Sequence, residues 1–210
     1  MSKQFSFITP TDMCESFEAV VGMGVYREDR IEWVKQAINS VLNQTYQSFV
    51  YVIVIDGEIN EDIYTYLCDV CRQNKKMMLV RNRSNSGLSV CMNFIVDWTL
   101  SEYSDTKYFF RMDADDISEK DRFASQINYL NKHQNVSILG CALKEINENG
   151  LIVGKRKLPV KHGDIIKFLP KRCSINHPTV AIRFNVFKDG FRYNKALRNT
   201  QDYFLWIELA

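Results

Sequence analysis

Apolar blocks rich in β-branched and aromatic residues recur at 49–55 (FVYVIVI), 77–80 (MMLV) and 108–112 (YFFRM), with helical periodicity between them. Strands that alternate with helices along a chain belong to a parallel sheet with helices on its faces, so an α/β fold is expected. An earlier block, AVVGMGVY at 19–26, supplies the first strand, and a helix over about 28–44 places Ile31, Val34, Ile38, Val41 and Leu42 at helical spacing. Further helices are expected at about 60–74 (Ile63, Leu67, Val70, Cys71) and about 88–100 (Leu88, Cys91, Met92, Ile95, Trp98). A fourth comes after residue 118, with Ser118 and Asp121 as its capping box and Phe123, Ile127 and Leu130 on its inner face.

Beyond residue 135 the regular winding stops. VSILGCALKEI has the pattern of one long strand, followed by a turn at Asn149-Gly150, a short helix near 161–169 and the apolar stretch TVAIRFNVF. A last helical pattern starts at about Gln201 and is still running at Ala210, the expectation for a chain cut before further C-terminal structure. The 210 residues fit a single domain.

With 46% hydrophobic and 25% charged residues, disordered and fibrous classes are excluded. No apolar run approaches the roughly 18 residues of a membrane span, and MSKQFSFITPTD lacks a signal peptide's apolar stretch, so a cytoplasmic location is expected. The six cysteines, Cys14 among them, are then expected to be reduced. Cys68 and Cys71 form a lone C-x-x-C with no second ligand pair at zinc-finger spacing, and a half-buried helix face accounts for both. Gly22-Met23-Gly24 lacks the third glycine of a dinucleotide fingerprint, because position 27 is Arg27.

The net charge of +2 conceals an asymmetry. Residues 155–198 hold twelve Lys or Arg against Asp164 and Asp189, a local charge of +10. Such a segment suits an anionic membrane or a lipid pyrophosphate, and equally a solvated surface. Nucleic acid is not an expected partner, since no binding module is present and the acidic half would repel phosphate.

Ligands of open α/β sheets bind outside the carboxyl ends of the strands, and two acidic groups occupy such ends. Asp56 closes FVYVIVI, and Asp113, Asp115 and Asp116 close YFFRM. Three carboxylates at a strand end repel one another unless a cation intervenes, and oxygen ligands in small number suit Mg²⁺ or Mn²⁺ shared with phosphates. The alternative is structural: the acids cap the next helix and pair with Arg111 and Arg122.

The string Arg111-Met112-Asp113-Ala114-Asp115-Asp116-Ile117, with Asp121-Arg122-Phe123 and Gln126, resembles glycosyltransferase family 2. Other pieces fall in that family's order: Gln36-Ala37-Ile38 through Gln44-Thr45, Ile53-Val54-Ile55-Asp56-Gly57, Asn85-Ser86-Gly87-Leu88 leading to Asn93, Asn176-His177-Pro178-Thr179-Val180, and Gln201-Asp202-Tyr203-Phe204-Leu205-Trp206. The resemblance spans roughly residues 20–210. It implies a GT-A fold, with a nucleotide-sugar-binding half over about 20–135 and an acceptor-binding half over about 136–210. It also implies roles. Asp56 would hydrogen-bond the nucleotide base, Val25 and Tyr26 would line the base pocket, and Arg83 would contact base or phosphate. Asp113 would touch ribose or metal, and Asp115 would be the principal ligand of Mn²⁺ or Mg²⁺. Asp202 matches the family's general base, and His177 and Trp206 would serve the acceptor, although Trp206 fits a core role as well.

The resemblance thus implies an inverting transferase that takes a nucleotide-sugar donor, most simply a UDP-sugar, to a glycan or lipid-linked glycan acceptor. Local similarity around Lys171-Arg172-Cys173 points to surface-polysaccharide assembly, and the basic segment to peripheral contact with the inner face of the cytoplasmic membrane. The sequence departs from the family pattern at Gln201, where an acid is common, at Ile55, and at Met23-Gly24-Val25-Tyr26-Arg27. A metal-dependent phosphatase or nucleotidyltransferase, and a non-catalytic sugar-nucleotide-binding subunit, are the alternatives.

Overall fold

The computed structural model describes residues 4–8 and 16–210; Cys14 and most of the opening segment lie outside them. The strands are β1 (Phe5–Phe7), β2 (Ala19–Val25), β3 (Phe49–Asp56), β4 (Met77–Asn82), β5 (Tyr108–Arg111), β6 (Ile138–Leu139), β7 (Leu143–Ile146), β8 (Ile152–Arg156) and β9 (Ala181–Arg183). The helices are α1 (Ile31–Leu42), α2 (Glu61–Gln73), α3 (Leu88–Glu102), α4 (Arg122–Lys132), α5 (His162–Phe168), α6 (Asn185–Lys188) and α7 (Gln201–Glu208).

Seven strands form one sheet in the order β1-β4-β3-β2-β5-β9-β6. The inner four are parallel, and β1, β9 and β6 add antiparallel pairings at the edges. Because strand side chains alternate, the all-apolar β3 feeds two cores. Tyr51, Ile53 and Ile55 face α1, α2 and α4 through Val34, Ile38, Leu67, Phe123 and Leu130. Val50, Val52 and Val54 share the second core with α3, α6 and α7 through Met92, Ile95, Phe187, Leu205 and Trp206. The fold is thus a helix–sheet–helix sandwich with a mixed second half, as the apolar pattern predicts.

The chain runs outward from β2 through β3 to β4, then returns past β2 to place β5 on its other side. The strand order reverses there, so the carboxyl ends of β2 and β5 open a crevice.

Two local expectations need correction. Ser118 and Asp121 do not form a capping box, since Asp121 makes no side-chain cap bond. Gln44 instead takes the Phe123 N–H at 3.1 Å through Oε1, and its Nε2 donates to Ser40 O, Ser118 Oγ and Glu119 O at 2.9–3.1 Å. The cap therefore comes from a residue 79 positions earlier. The single strand read in VSILGCALKEI is two: β6 stays in the main sheet, and β7 leaves it to pair with β8. The bend is held by Thr179 Oγ1, which accepts the Cys141 N–H at 2.9 Å, and by Asn176 Nδ2, which donates to Cys141 O at 3.0 Å. A Cβ on Gly140 would sit 2.8 Å from Ile175 Cγ2, so the glycine permits a close approach between the two segments.

Candidate active site

Parallel pairing of β5 with β2 brings Arg111 beside Gly22 and throws the next residues into the crevice. Arg111 is 1% exposed; it donates through Nη1 to Gly22 O at 3.2 Å and through Nη2 to Asp113 Oδ1. Ala114, 5% exposed, anchors the loop, so that Asp113 is half-buried, Asp115 exposed and Asp116 half-buried. Ligand oxygens of these three carboxylates lie within 4.8 Å of one another. Burial first, then the charges of Asp113 and Asp115, pushes the Asp116 carboxyl up to about 6. Arg122 does not pair with the cluster: its Nη2 donates to Arg111 O at 2.8 Å and its Nη1 to Pro178 O at 2.9 Å. Of the structural alternative, the Arg111–Asp113 pair is thus present and the Arg122 pair is not.

A fourth carboxylate, Asp29, faces the same crevice and escaped the sequence reading. Its Oδ2 accepts the Tyr26 N–H at 2.8 Å, and burial together with Asp115 and Asp113 pushes it up to about 6. The available signal was an Asp four residues past the end of β2, near enough along the chain to bond its own turn. Tyr26 is 41% exposed, and its hydroxyl is raised by burial and by Asp29, Glu28 and Asp115, which places its ring beside the acids. Val25 is fully buried in the core.

Asp56 is 5% exposed. Oδ1 accepts from Asn82 Nδ2 at 2.7 Å and from the Ser86 N–H at 2.9 Å, and Oδ2 accepts from the Gly87 N–H at 2.8 Å. A carboxylate offers about four acceptor sites, so this one chiefly braces the 82–87 loop. Gly57 adopts φ +88°, and a Cβ there would meet Asn85 N at 2.7 Å. The Asp56-Gly57 and Asn85-Ser86-Gly87 motifs are therefore one packed unit. Arg83 sits exposed on this loop, its backbone N–H bonded to Gln4 O at 3.1 Å.

Asp202 enters from the other half, in the first turn of α7. It is half-buried; burial raises its carboxyl above the usual range, Asp113 raises it further, and the N–H groups of Tyr203 and Asp202 oppose the rise. Cys173 Sγ lies 4.0 Å from its Oδ2. His177 and Trp206 stand behind this acid. His177 is 8% exposed, with Nε2 3.1 Å from the Tyr193 hydroxyl, and burial keeps it well below the ordinary histidine range. Trp206 is 2% exposed with its ring 6.0 Å from that of His177. As folded, the indole and the imidazole both pack in the core.

The crevice therefore gathers Tyr26, Asp29, Asp113, Asp115, Asp116 and Asp202. Asp56 and Arg83 belong to the loop beside it, and Val25, His177 and Trp206 to its support. The donor set fits a hard divalent cation, because clustered carboxylates raise one another's affinity for positive charge and one of them, Asp115, is exposed. Cys68 and Cys71 lie buried on α2, the latter thiol pushed up to about 12 by burial, in keeping with a packing role. In the basic 155–198 segment, Arg183 bonds Leu130 O and Val136 O, and Arg192 pairs with Asp97 at 2.8 Å, so part of that charge serves the fold. Among the described residues, no helix is long and apolar enough to cross a membrane.

Residues 20–191 match the family described as Glycosyl transferase family 2. An uncharacterized glycosyltransferase of Haemophilus influenzae is 31% identical over 90% of this chain and 67% of its own length. The O-antigen biosynthesis glycosyltransferase WbnJ of Escherichia coli is 31% identical over 89% of this chain and 69% of its own length. Against an uncharacterized glycosyltransferase of Methanocaldococcus jannaschii, 28% identical, this chain spans 62% of the relative's length. In three dimensions the chain resembles S. aureus TarS 1-349 in complex with UDP-GlcNAc, with TM-score 0.68 at 15% identity over 90% of this chain and 52% of that one. It also resembles the mannosyltransferase PcManGT of Pyrobaculum calidifontis in complex with GDP-Man and Mn²⁺, with TM-score 0.66 at 13% identity over 97% of this chain and 56% of that one. These two structures support the GT-A fold.

Proposed function

The chain belongs to glycosyl transferase family 2, and on that premise we propose that it carries out a single, inverting transfer of a sugar from a nucleotide diphosphate sugar, most simply a UDP-sugar, to a glycan or lipid-linked glycan acceptor. The observation that carries this reading is that Asp113, just past the end of β5, and Asp202, at the start of α7, lie close enough for the charge of one to raise the carboxyl of the other. A donor-side acid cluster and an acceptor-side base thus face one crevice.

In this reading Tyr26 offers its exposed ring to the base, Arg83 lies within the loop nearest the phosphates, and Asp56 holds that loop's N–H groups in place. Asp115, with Asp113 and Asp116, would hold Mn²⁺ or Mg²⁺, which when bound would neutralise charge on a leaving diphosphate. Asp202 accepts the proton of the acceptor hydroxyl as its oxygen bonds to the anomeric carbon and the bond from that carbon to the diphosphate oxygen breaks. Its raised proton affinity makes it a better base than a surface carboxylate. Arg111 orients Asp113, and His177 and Trp206 support the α7 terminus from behind. The acceptor belongs to surface-polysaccharide synthesis, met by a chain docked peripherally on the inner face of the cytoplasmic membrane through its basic 155–198 segment.

Thermal melting with UDP, GDP and their sugars, each with and without Mn²⁺, tests the reading, since a ligand bound to the native state raises the melting temperature by mass action. A Mn²⁺-dependent rise that Asp115→Asn abolishes is expected. Failure of every nucleotide diphosphate to stabilise the chain would refute the reading. Nucleotide binding with no donor turned over, and no effect of Asp202→Asn, would make it a sugar-nucleotide-binding subunit.

A further inference from the structure

Ten large apolar side chains stand exposed among the described residues, and half of them fall in one short stretch: Ile146, Leu151, Ile152, Val153 and Val160, the last 92% exposed. The first four lie in or beside the β7–β8 hairpin, which forms a sheet of its own. Its turn is well made: Asn147 Oδ1 accepts the N–H groups of Asn149 and Leu151, both at 3.0 Å, and Gly150 takes φ +76°. A two-stranded hairpin without a covered face is marginal in water, and concentrated exposed apolar surface marks a place of contact.

The distribution of side chains indicates which contact. Ile146 pairs with Ile152 across the hairpin, and a bulge opposite Glu145 and Ile146 leaves Val153 without a partner on β7, next to the exposed Leu151 and Ile152. Three consecutive exposed apolar side chains at an irregular tip suit insertion into a medium better than apposition to a flat protein surface. Around it, residues 143–161 carry Lys144, Lys155, Arg156, Lys157 and Lys161 against only Glu145 and Glu148. Lys144 pairs with Glu119 at 2.7 Å and Arg156 with Glu145 at 2.8 Å, whereas Lys155, Lys157 and Lys161 have no ion pair among the described residues. Lysine is depleted from the centres of protein interfaces, and a second copy of this chain would bring the same cations face to face. Apolar chains interleaved with lysines match the boundary between anionic headgroups and acyl chains.

We propose that the β7–β8 hairpin and the segment through Lys161 dock on an anionic lipid surface, with Leu151, Ile152, Val153 and Val160 entering the interface and Lys155, Lys157 and Lys161 meeting headgroup phosphates. The Lys144–Glu119 pair ties the hairpin to the loop that carries Asp113, Asp115 and Asp116, so docking would hold the crevice close to the lipid. The proposal deepens the peripheral docking put forward above and names the element responsible, most of which lies outside the basic segment.

The test is cosedimentation of the whole chain with vesicles of phosphatidylglycerol and phosphatidylcholine, compared with phosphatidylcholine alone. Binding only to the anionic vesicles, weakening as salt is raised, is expected. Leu151→Ser, Ile152→Ser and Val153→Ser together, or Lys155→Gln, Lys157→Gln and Lys161→Gln together, should each lower partitioning on the order of 100-fold. All six side chains are exposed, so melting temperature and UDP affinity should stay as in the parent. Absence of binding, equal binding to both vesicle types, or unchanged binding by either triple variant overturns the proposal. So does a parent dimer that the serine variant splits, which would assign the apolar tip to a second copy. Vesicle binding without nucleotide binding would instead sink the transfer reading and leave the docking intact.

Discussion

The structure makes Asp56 a brace for the crevice, a role separable by measurement from contact with the nucleotide base. Asp56→Ala would strand three donors: Asn82 Nδ2, which is buried, and the part-buried N–H groups of Ser86 and Gly87, now bonded at 2.7–2.9 Å. A buried donor left without a partner costs about 1–3 kcal/mol, and water can reach the two part-buried ones, so the loss should be roughly 3–5 kcal/mol. That is a large fraction of a typical domain stability of about 5–15 kcal/mol. For a chain of this size each kcal/mol moves the melting temperature by about 2–4 °C, which predicts a fall of roughly 6–20 °C. Asp56→Asn is the sharper variant. Its amide keeps one acceptor oxygen but sets a donor against one of the three N–H groups, so it should lose at least a third of that stability although its shape is unchanged. Differential scanning calorimetry without ligand gives the stabilities, and titration with UDP gives the affinity. A melting temperature within about 2 °C of the parent, together with a collapse in UDP affinity, would show that the acid serves the base and that the bracing argument is wrong.

Asp202→Asn should lower sugar transfer by about 10²–10⁴-fold while leaving UDP binding intact, as measured by single-turnover kinetics; equal losses in both would place the residue in folding or donor binding. Gln44→Leu removes four hydrogen bonds, three of which join the end of α1 to the start of α4, and leaves the Phe123 N–H unpaired. A destabilisation of about 2–4 kcal/mol is expected in urea unfolding, and a midpoint unchanged within error would mean that Ser118 and Asp121 cap the helix after all. Burial holds His177 well below the unfolded value of about 6.5. Below that pH the unfolded chain binds a proton that the folded chain refuses, so stability should fall as pH drops from about 6.5 toward the folded value. His177→Phe should flatten that part of the stability profile, and an unchanged slope between about pH 6.5 and 5 would refute the assignment.

Much of this protein is legible in its amino-acid order. The strands β2 to β5 and helices α1 to α4 appear within a residue or three of where periodicity puts them, because each buries one continuous apolar face. The acid cluster is legible for a related reason: an apolar strand that stops at Asp113 must present the residues after it at the sheet edge. The failures have a common cause as well. Gln44 as the cap of α4, Asn82 beside Asp56, and Cys141 held by Asn176 and Thr179 are pairings over 26 to 79 residues, and local pattern carries no signal for them.

The α/β class follows from apolar period, and the family from the ordered motifs that run from Gln36 to Trp206 and match over residues 20–191. Which groups share a space was settled by packing. The return of β5 to the side of β2 set Asp29 and Tyr26 against the acid cluster, and the packing of α7 put Asp202 where it feels the charge of Asp113. The same packing closed core around Val25, His177 and Trp206 and turned Asp56 inward to its loop. Role depends on exposure and on neighbours far along the chain, and those are properties of the packed sheet that no local stretch of sequence contains.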